Sequence, residues 1–242
     1  MPQATAYDYA RRAVRWWNRR RDSRKANDYR RRHVGESSLI DETVHVLGWQ
    51  QVRIGHHTII AEGTWINVNN RDETNPAVII GDNSFIGRRN FFTAGSRITI
   101  GDYCLTGPDC HFLGADHDSS SPFTPFAISG VPSYGVIEVG ANCWFGSSVI
   151  VLKNVHIGFG SILGAGALIT RDCPPFSMLV GSPARIIKRF DMQRKEWVKT
   201  EEYPADGDRF LPGEAEYLAG LRSRHPAIKG ARGASGKAFG DL

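Results

Sequence analysis

From Val139 the chain reads VGANCW, FGSSVI, VLKNVH, IGFGSI, LGAGAL and ITRDCP, six hexads each led by an apolar residue, often with Gly second and a small or β-branched residue fifth. The pattern also runs through IGDNSF, IGRRNF and FTAGSR from Ile80 and, after a two-residue step, through IGDYCL, TGPDCH and FLGADH from Ile100. Weaker hexads begin at Val34, Ile40 and Val46, and again at Ile54, Ile60 and Ile66. A period of six fits neither an α-helix nor a two-residue alternation. Three hexads make one triangular turn whose short strands stack on the turns above and below. The leading residue is expected to point inward and the small fifth residue to fit the narrow interior. Gly in second place is expected to give the corner a freedom that a Cβ denies. Counting eighteen residues per turn gives about six turns, 34–51, 54–71, 80–97, 100–117, 139–156 and 157–174. The expected class is all-β, a parallel β-helix, because a sandwich or doubly wound sheet needs turn signals or helices that are absent between these strands.

The register breaks once in the middle of the coil. DSSSPFTPFAISGVPSYG, residues 118–135, is too polar and proline-rich for another turn and is expected to project as a loop. At the N-terminus, Tyr7, Ala10, Val14 and Trp17 fall at helical spacing among arginines, so residues 5–30 read as a basic helix. After the coil, KRFDMQRKEWVKTEEY suggests a short helix, and residues from about 204 onward read as loosely structured. The expected organisation is a basic helical segment at 1–33, the coil at 34–190 and a tail at 191–242.

Charge and composition narrow the class. The chain has 242 residues and a net charge of +5, yet residues 1–33 hold eleven Lys/Arg against three Asp, so the remainder is net acidic. Local basicity of this kind argues against a chain-wide nucleic-acid surface and suits packing of a subunit or contact with an anionic membrane surface. No run of eighteen apolar residues and no secretory leader is seen, so a cytoplasmic location is expected, with peripheral contact at the inner membrane face through residues 5–30. Cys104, Cys110, Cys143 and Cys173 all fall at fifth hexad positions and read as small core residues rather than disulfides or metal ligands.

Tandem hexads with Ile/Val-Gly leaders resemble those of the hexapeptide-repeat acyltransferase superfamily, whose members are left-handed parallel β-helices assembled as trimers. The resemblance covers about residues 34–190. It extends to NCWFG, KNVHIGFGSILGAGALITRDCPP and GSPARIIKRF, which look like the C-terminal signature of maltose, galactoside and xenobiotic acetyltransferases. It implies acetyl-CoA as co-substrate, no metal, a homotrimer, and a sugar hydroxyl, plausibly of a polysaccharide or its precursor, as acceptor. The run Gly101 to His117 resembles the galactoside-type run that ends in the catalytic histidine, followed by a loop that walls a cleft shared with the neighbouring subunit. Asn90, in RRNFF, resembles the asparagine that bonds the acceptor or orients the site. Trp144 resembles the tryptophan of the family's N-x-W-I-G stretch, with pantetheine or acceptor as its contact. Ser147, Ala165, Thr170, Arg171, Arg185 and Lys188 are the positions that the resemblance assigns to the coenzyme.

The residues supply their own chemistry. An alcohol attacking a thioester must lose its proton, and imidazole, with an ordinary pKa near ~6.5, is a base at neutral pH without large environmental help. Asp116 and Asp118 flank His117 and are candidates to orient its ring, although chain neighbours seldom bond so conveniently. Small residues at 147 and 165 let a pantetheine arm approach corner backbone, and Arg171, Arg185 and Lys188 suit phosphates. Antibiotic O-acetylation and amino-sugar N-acetylation stand as alternatives. So does a zinc hydratase using His111 and His117, whose six-residue spacing puts them on successive faces.

Overall fold

The computed structural model describes residues 26–69, 75–131 and 135–227. Most of the expected basic helix therefore lies outside the described residues; residues 26–33, its end, are helical. No described helix is long and apolar enough to cross a membrane.

The coil forms as the hexads dictate. Its short strands make three parallel sheets of a left-handed β-helix. One five-stranded sheet stacks Val52–Ile54, Val78–Ile80, Arg97–Ile100, Val136–Val139 and Val155–Ile157. A second, six-stranded sheet runs from His45–Leu47 through Trp65–Val68, Phe91–Ala94, His111–Leu113 and Ile150–Leu152 to Leu168–Ile169. The third begins at Leu39–Ile40 and climbs through Ile59–Ile60, Phe85–Ile86, Leu105–Thr106, Trp144–Phe145 and Ile162–Leu163 to Ser177–Gly181. Hexad leaders such as Ile60, Ile80, Ile86, Ile100, Phe112, Phe145 and Leu163 are fully buried in one continuous core. The four cysteines are buried free thiols in that core. The turns begin at Val34, Ile54, Ile80, Ile100, Val139 and Ile157, the starts that the hexad register predicts.

The segment after the coil departs from expectation. KRFDMQRKEWVKTEEY is no helix: Ala184–Asp191 and Glu196–Lys199 are antiparallel strands that extend the third sheet beyond Ser177–Gly181. The last coil strand ends that sheet with an open edge, and an unpaired edge recruits extended chain more strongly than helix propensity resists. Asp191 closes the turn between the strands by accepting the backbone N–H groups of Gln193 (2.9 Å) and Arg194 (3.1 Å). Residues 204–227 are also more ordered than expected. They hold a 3₁₀ turn, Gly207–Phe210, and a helix, Glu214–Arg224. Tyr217 and Leu218 of that helix pack on Phe159, Phe176 and Phe190 in a second, smaller core.

Candidate active site

The fifth-position side chains carry the coil's internal polar bonding. Along one corner, Ser38, Thr58, Ser84, Cys104 and Cys143 donate to the carbonyls of Gly55, Gly81, Gly101, Gly140 and Gly158, each one turn on. Along the next corner, Thr64 donates to Gly87, Asn90 to Gly107 at 3.0 Å and Cys110 to Gly146. Burial pushes the Cys110 thiol up to about 11 and the fully enclosed Cys143 thiol well above its ordinary value, so neither is a nucleophile near neutrality.

Asn90 thus belongs to a ladder inside the coil. It is 1% exposed, its amide also donates to the Gly87 carbonyl at 2.7 Å, and its Oδ1 has no partner among the described residues. In this structure its amide is held by backbone carbonyls inside the coil, a placement that suits orienting the corner more than direct contact with an acceptor.

His117 stands where the coil opens. The chain leaves the corner at Gly114 and returns at Gly135, and the two backbones nearly touch: a Cβ on Gly135 would lie 1.7 Å from the Gly114 carbonyl oxygen. Gly95, one turn below, meets the same carbonyl, with its would-be Cβ at 2.3 Å. Three stacked glycines therefore pinch the root of the loop, and His117 follows three residues after Gly114, exposed. Asp116 pairs with Lys153 at 2.9 Å, and Asp118 accepts the Ser120 N–H, which holds its carboxyl below the usual range. Neither flanking carboxylate orients the ring. The loop closes on itself where the Asp118 N–H donates to Gly130, and it presents Phe123, 95% exposed, with Phe126 and Ile128.

The positions expected to hold the coenzyme fall into three groups. Ser147 and Ala165 are stacked exposed corners, where the Ser147 carbonyl accepts the Gly166 N–H at 2.8 Å and a Cβ on Gly146 would lie 2.5 Å from the Ala165 nitrogen. Arg185 continues this corner, because it pairs across the strands with Val180, which packs on Gly164. Thr170 and Arg171 lie at the opposite edge of the six-stranded sheet. The pairing of Ile150 with Leu168 and Val151 with Ile169 puts them above Leu152 and Lys153, at the corner from which the His117 loop departs. The two corners are a strand's length apart, roughly 10 Å. Lys188 sits opposite Met178 on the third sheet. Trp144 is on that same sheet, between Leu105 and Ile162, and is 50% exposed.

Hexad reading gave no sign of a cleft beside Trp144. Its lining includes Trp144, Phe190, Lys195, Trp197, Tyr217 and Arg224, and it encloses about 670 Å³. Five of those residues come from the hairpin and helix after the coil, where no repeat guides prediction. The described residues hold no group of three side chains suited to a metal ion. His111 packs edge-on against Phe91, with ring centres 6.1 Å apart.

Residues 136–171 match the family model described as the hexapeptide repeat of succinyl-transferase. A candidate acetyltransferase of Staphylococcus aureus (strain COL) is 39% identical over 114 residues, 47% of this chain and 56% of that protein. Another from Schizosaccharomyces pombe is 40% identical over 95 residues, 39% of this chain and 44% of that one. The chain thus spans about half the length of the curated relatives it matches. Among solved structures, AntD, an N-acyltransferase from Bacillus cereus in complex with dTDP and 3-hydroxybutyryl-CoA, superposes with a TM-score of 0.56. The match covers 78% of this chain and 90% of that one at 20% identity, a likeness of fold. With this repeat, this coil and these relatives, the chain resembles the hexapeptide-repeat acyltransferases.

Proposed function

We propose that the chain is an acetyl-CoA-dependent O-acetyltransferase acting on a sugar hydroxyl, with His117 as general base in a direct transfer. The observation that carries this reading is the pinched opening of the coil. One histidine stands exposed at the root of the only long insertion in the described coil, and no protein group among the described residues bonds its ring. A ring free in this way can take the proton of an acceptor hydroxyl as the oxygen attacks the thioester carbonyl. The carbonyl then re-forms as coenzyme A leaves as the thiol.

In this reading the coenzyme lies along the Ser147–Ala165 corner. Small side chains there expose backbone amides to the pantetheine arm, Trp144 flanks it, and Arg185 and Lys188 receive the phosphates. Thr170 and Arg171 contact coenzyme from the corner nearer His117. The separation of the two corners supports a homotrimer in which His117 of one copy meets the coenzyme corner of the next. Outward apolar ladders support it too: Trp65, Phe91, Ile150 and Leu168 line one sheet, and Leu39, Ile59, Phe85 and Leu105 another. Two faces dressed in this way suit burial against copies of the chain. A polysaccharide or its precursor fits an open, solvent-facing site, and the basic residues at 5–30 suit contact with an anionic surface.

The test is release of free thiol from acetyl-CoA in the presence of mono- and oligosaccharides, amino sugars and hydroxylated antibiotics. Turnover with sugar alcohols supports the reading. Turnover confined to amines, or to antibiotics, would replace it with the corresponding alternative.

A further inference from the structure

The cleft beside Trp144 contains chemistry that acetyl transfer does not require. One wall is the outward face of the coil, with Trp144 and Ile162; the other is the hairpin and final helix, with Phe190, Lys195, Trp197, Tyr217 and Arg224. Its volume of about 670 Å³ lies within the ~300–1,000 Å³ span of small-molecule sites. The walls are rigidly built. Phe159, Phe176 and Tyr217 form a tight aromatic triangle with ring centres 5.1–5.3 Å apart, and Phe190 meets Trp197 edge-on at 5.5 Å. Asn142 donates to the Tyr217 hydroxyl, tying the helix to a coil corner.

Two of its lining cations stand without a carboxylate, as Arg185, Lys188 and Lys199 do outside it among the described residues. Arg189, Arg194, Arg209 and Arg222, on the same C-terminal elements, each pair with a carboxylate, respectively Asp208, Asp191, Asp206 and Asp102. Lys195 and Arg224 line the cleft, and among the described residues neither has a carboxylate partner. Lys195 sits at the hairpin turn with φ +57°, a backbone that side chains other than Gly and Asn adopt at a cost. Two indoles thus border a space that also holds two uncompensated cations. Stacking faces and cations together recognise a flat ring that bears negative charge.

We infer that this cleft is a second binding site, for a small planar ring carrying a phosphate, with Trp197 and Trp144 as stacking faces and Lys195 and Arg224 as counter-charges. The site shares Trp144 as a common wall with the proposed coenzyme corner. It stands independently of acetyl transfer, because Lys195, Trp197 and Arg224 take no part in that reading.

Calorimetric titration of the full chain tests it with four probes: AMP and phenyl phosphate, which have ring and charge, adenosine, which has ring alone, and inorganic phosphate. AMP and phenyl phosphate should bind, and adenosine and phosphate should bind at least about tenfold more weakly. Lys195→Ala and Arg224→Ala should each weaken AMP binding several-fold. Trp197→Leu should weaken it while leaving inorganic phosphate unchanged. Lys199→Ala, which removes the same charge from the same hairpin outside the cleft, should have no effect. All four are exposed or half-exposed positions whose substitution leaves the two cores intact. Absence of AMP and phenyl phosphate binding up to about 5 mM overturns the inference. So does equal affinity in the Lys195→Ala/Arg224→Ala double variant, or binding that Arg185→Ala abolishes and the double variant does not, since that would place the ring on the coenzyme corner. None of these outcomes bears on thiol release, which fails or succeeds separately.

Discussion

At the scale of single residues, the hexad's second and fourth places divide two tasks that a reading of the sequence assigns to one. Glycine in second place suggests a backbone that needs left-handed freedom. In the structure that conformation falls on the fourth place, at His57, Asn83, Arg89, Tyr103, Asp109, Asn142, Ser148 and Asn154, all with φ between 52° and 60°. The second-place glycine is needed instead because the turn above rests on it: a Cβ on Gly81 would lie 2.3 Å from Asp102 Oδ1 and 2.6 Å from the Asp102 nitrogen. Gly81→Ala should therefore cost roughly 2–4 kcal/mol in denaturant unfolding. Gly166→Asn, at a fourth place with φ +69° and open space around it, should cost under about 1 kcal/mol. Similar losses at both would mean that conformation rather than close stacking selects the glycine. The same scale explains the place of Asn90. The resemblance gives it an acceptor to bond or a site to orient, and its fifth-place register puts its side chain inside the coil, bonded to backbone carbonyls.

At the scale of elements, legibility follows the repeat. Each turn start could be read because an inward hydrophobe recurs at fixed distance, and the loop could be read because its prolines and serines break that rhythm. The hairpin Ala184–Lys199 could not. Its sequence is rich in helix-forming Lys, Arg, Gln and Glu, and what makes it a strand pair is the open edge of a sheet assembled from residues far upstream. The site was legible to the same extent. His117 and the Ser147–Ala165 corner lie on the coil, while Lys195, Trp197, Tyr217 and Arg224 come from elements that no period announces. The hairpin also carries Arg185, which extends the Ser147–Ala165 corner. Arg185→Ala should raise the KM for acetyl-CoA by a factor equivalent to about 1–3 kcal/mol, with kcat little changed. Dephospho-CoA thioesters should bind worse than CoA thioesters to the native chain and equally to this variant. Undiminished discrimination in the variant would show that Arg185 does not read the 3′-phosphate.

For the whole molecule, a prism with two apolar outer faces and its proposed base and coenzyme corner at opposite edges of one sheet makes sense as one part of a closed ring of copies. Sedimentation at micromolar concentration should give a species three times the chain mass, and a fully active monomer would contradict the shared site. The most direct test of the account is the steady-state kcat of His117→Ala with saturating acetyl-CoA and a true acceptor, beside His111→Ala and His156→Ala. If His117 takes the acceptor's proton, its loss should lower kcat by about 10²–10⁴-fold, the span of general-base catalysis, with coenzyme affinity preserved and the two other variants near native. If His117→Ala keeps more than about half the native kcat, the loop root holds no catalytic base and the central claim is wrong.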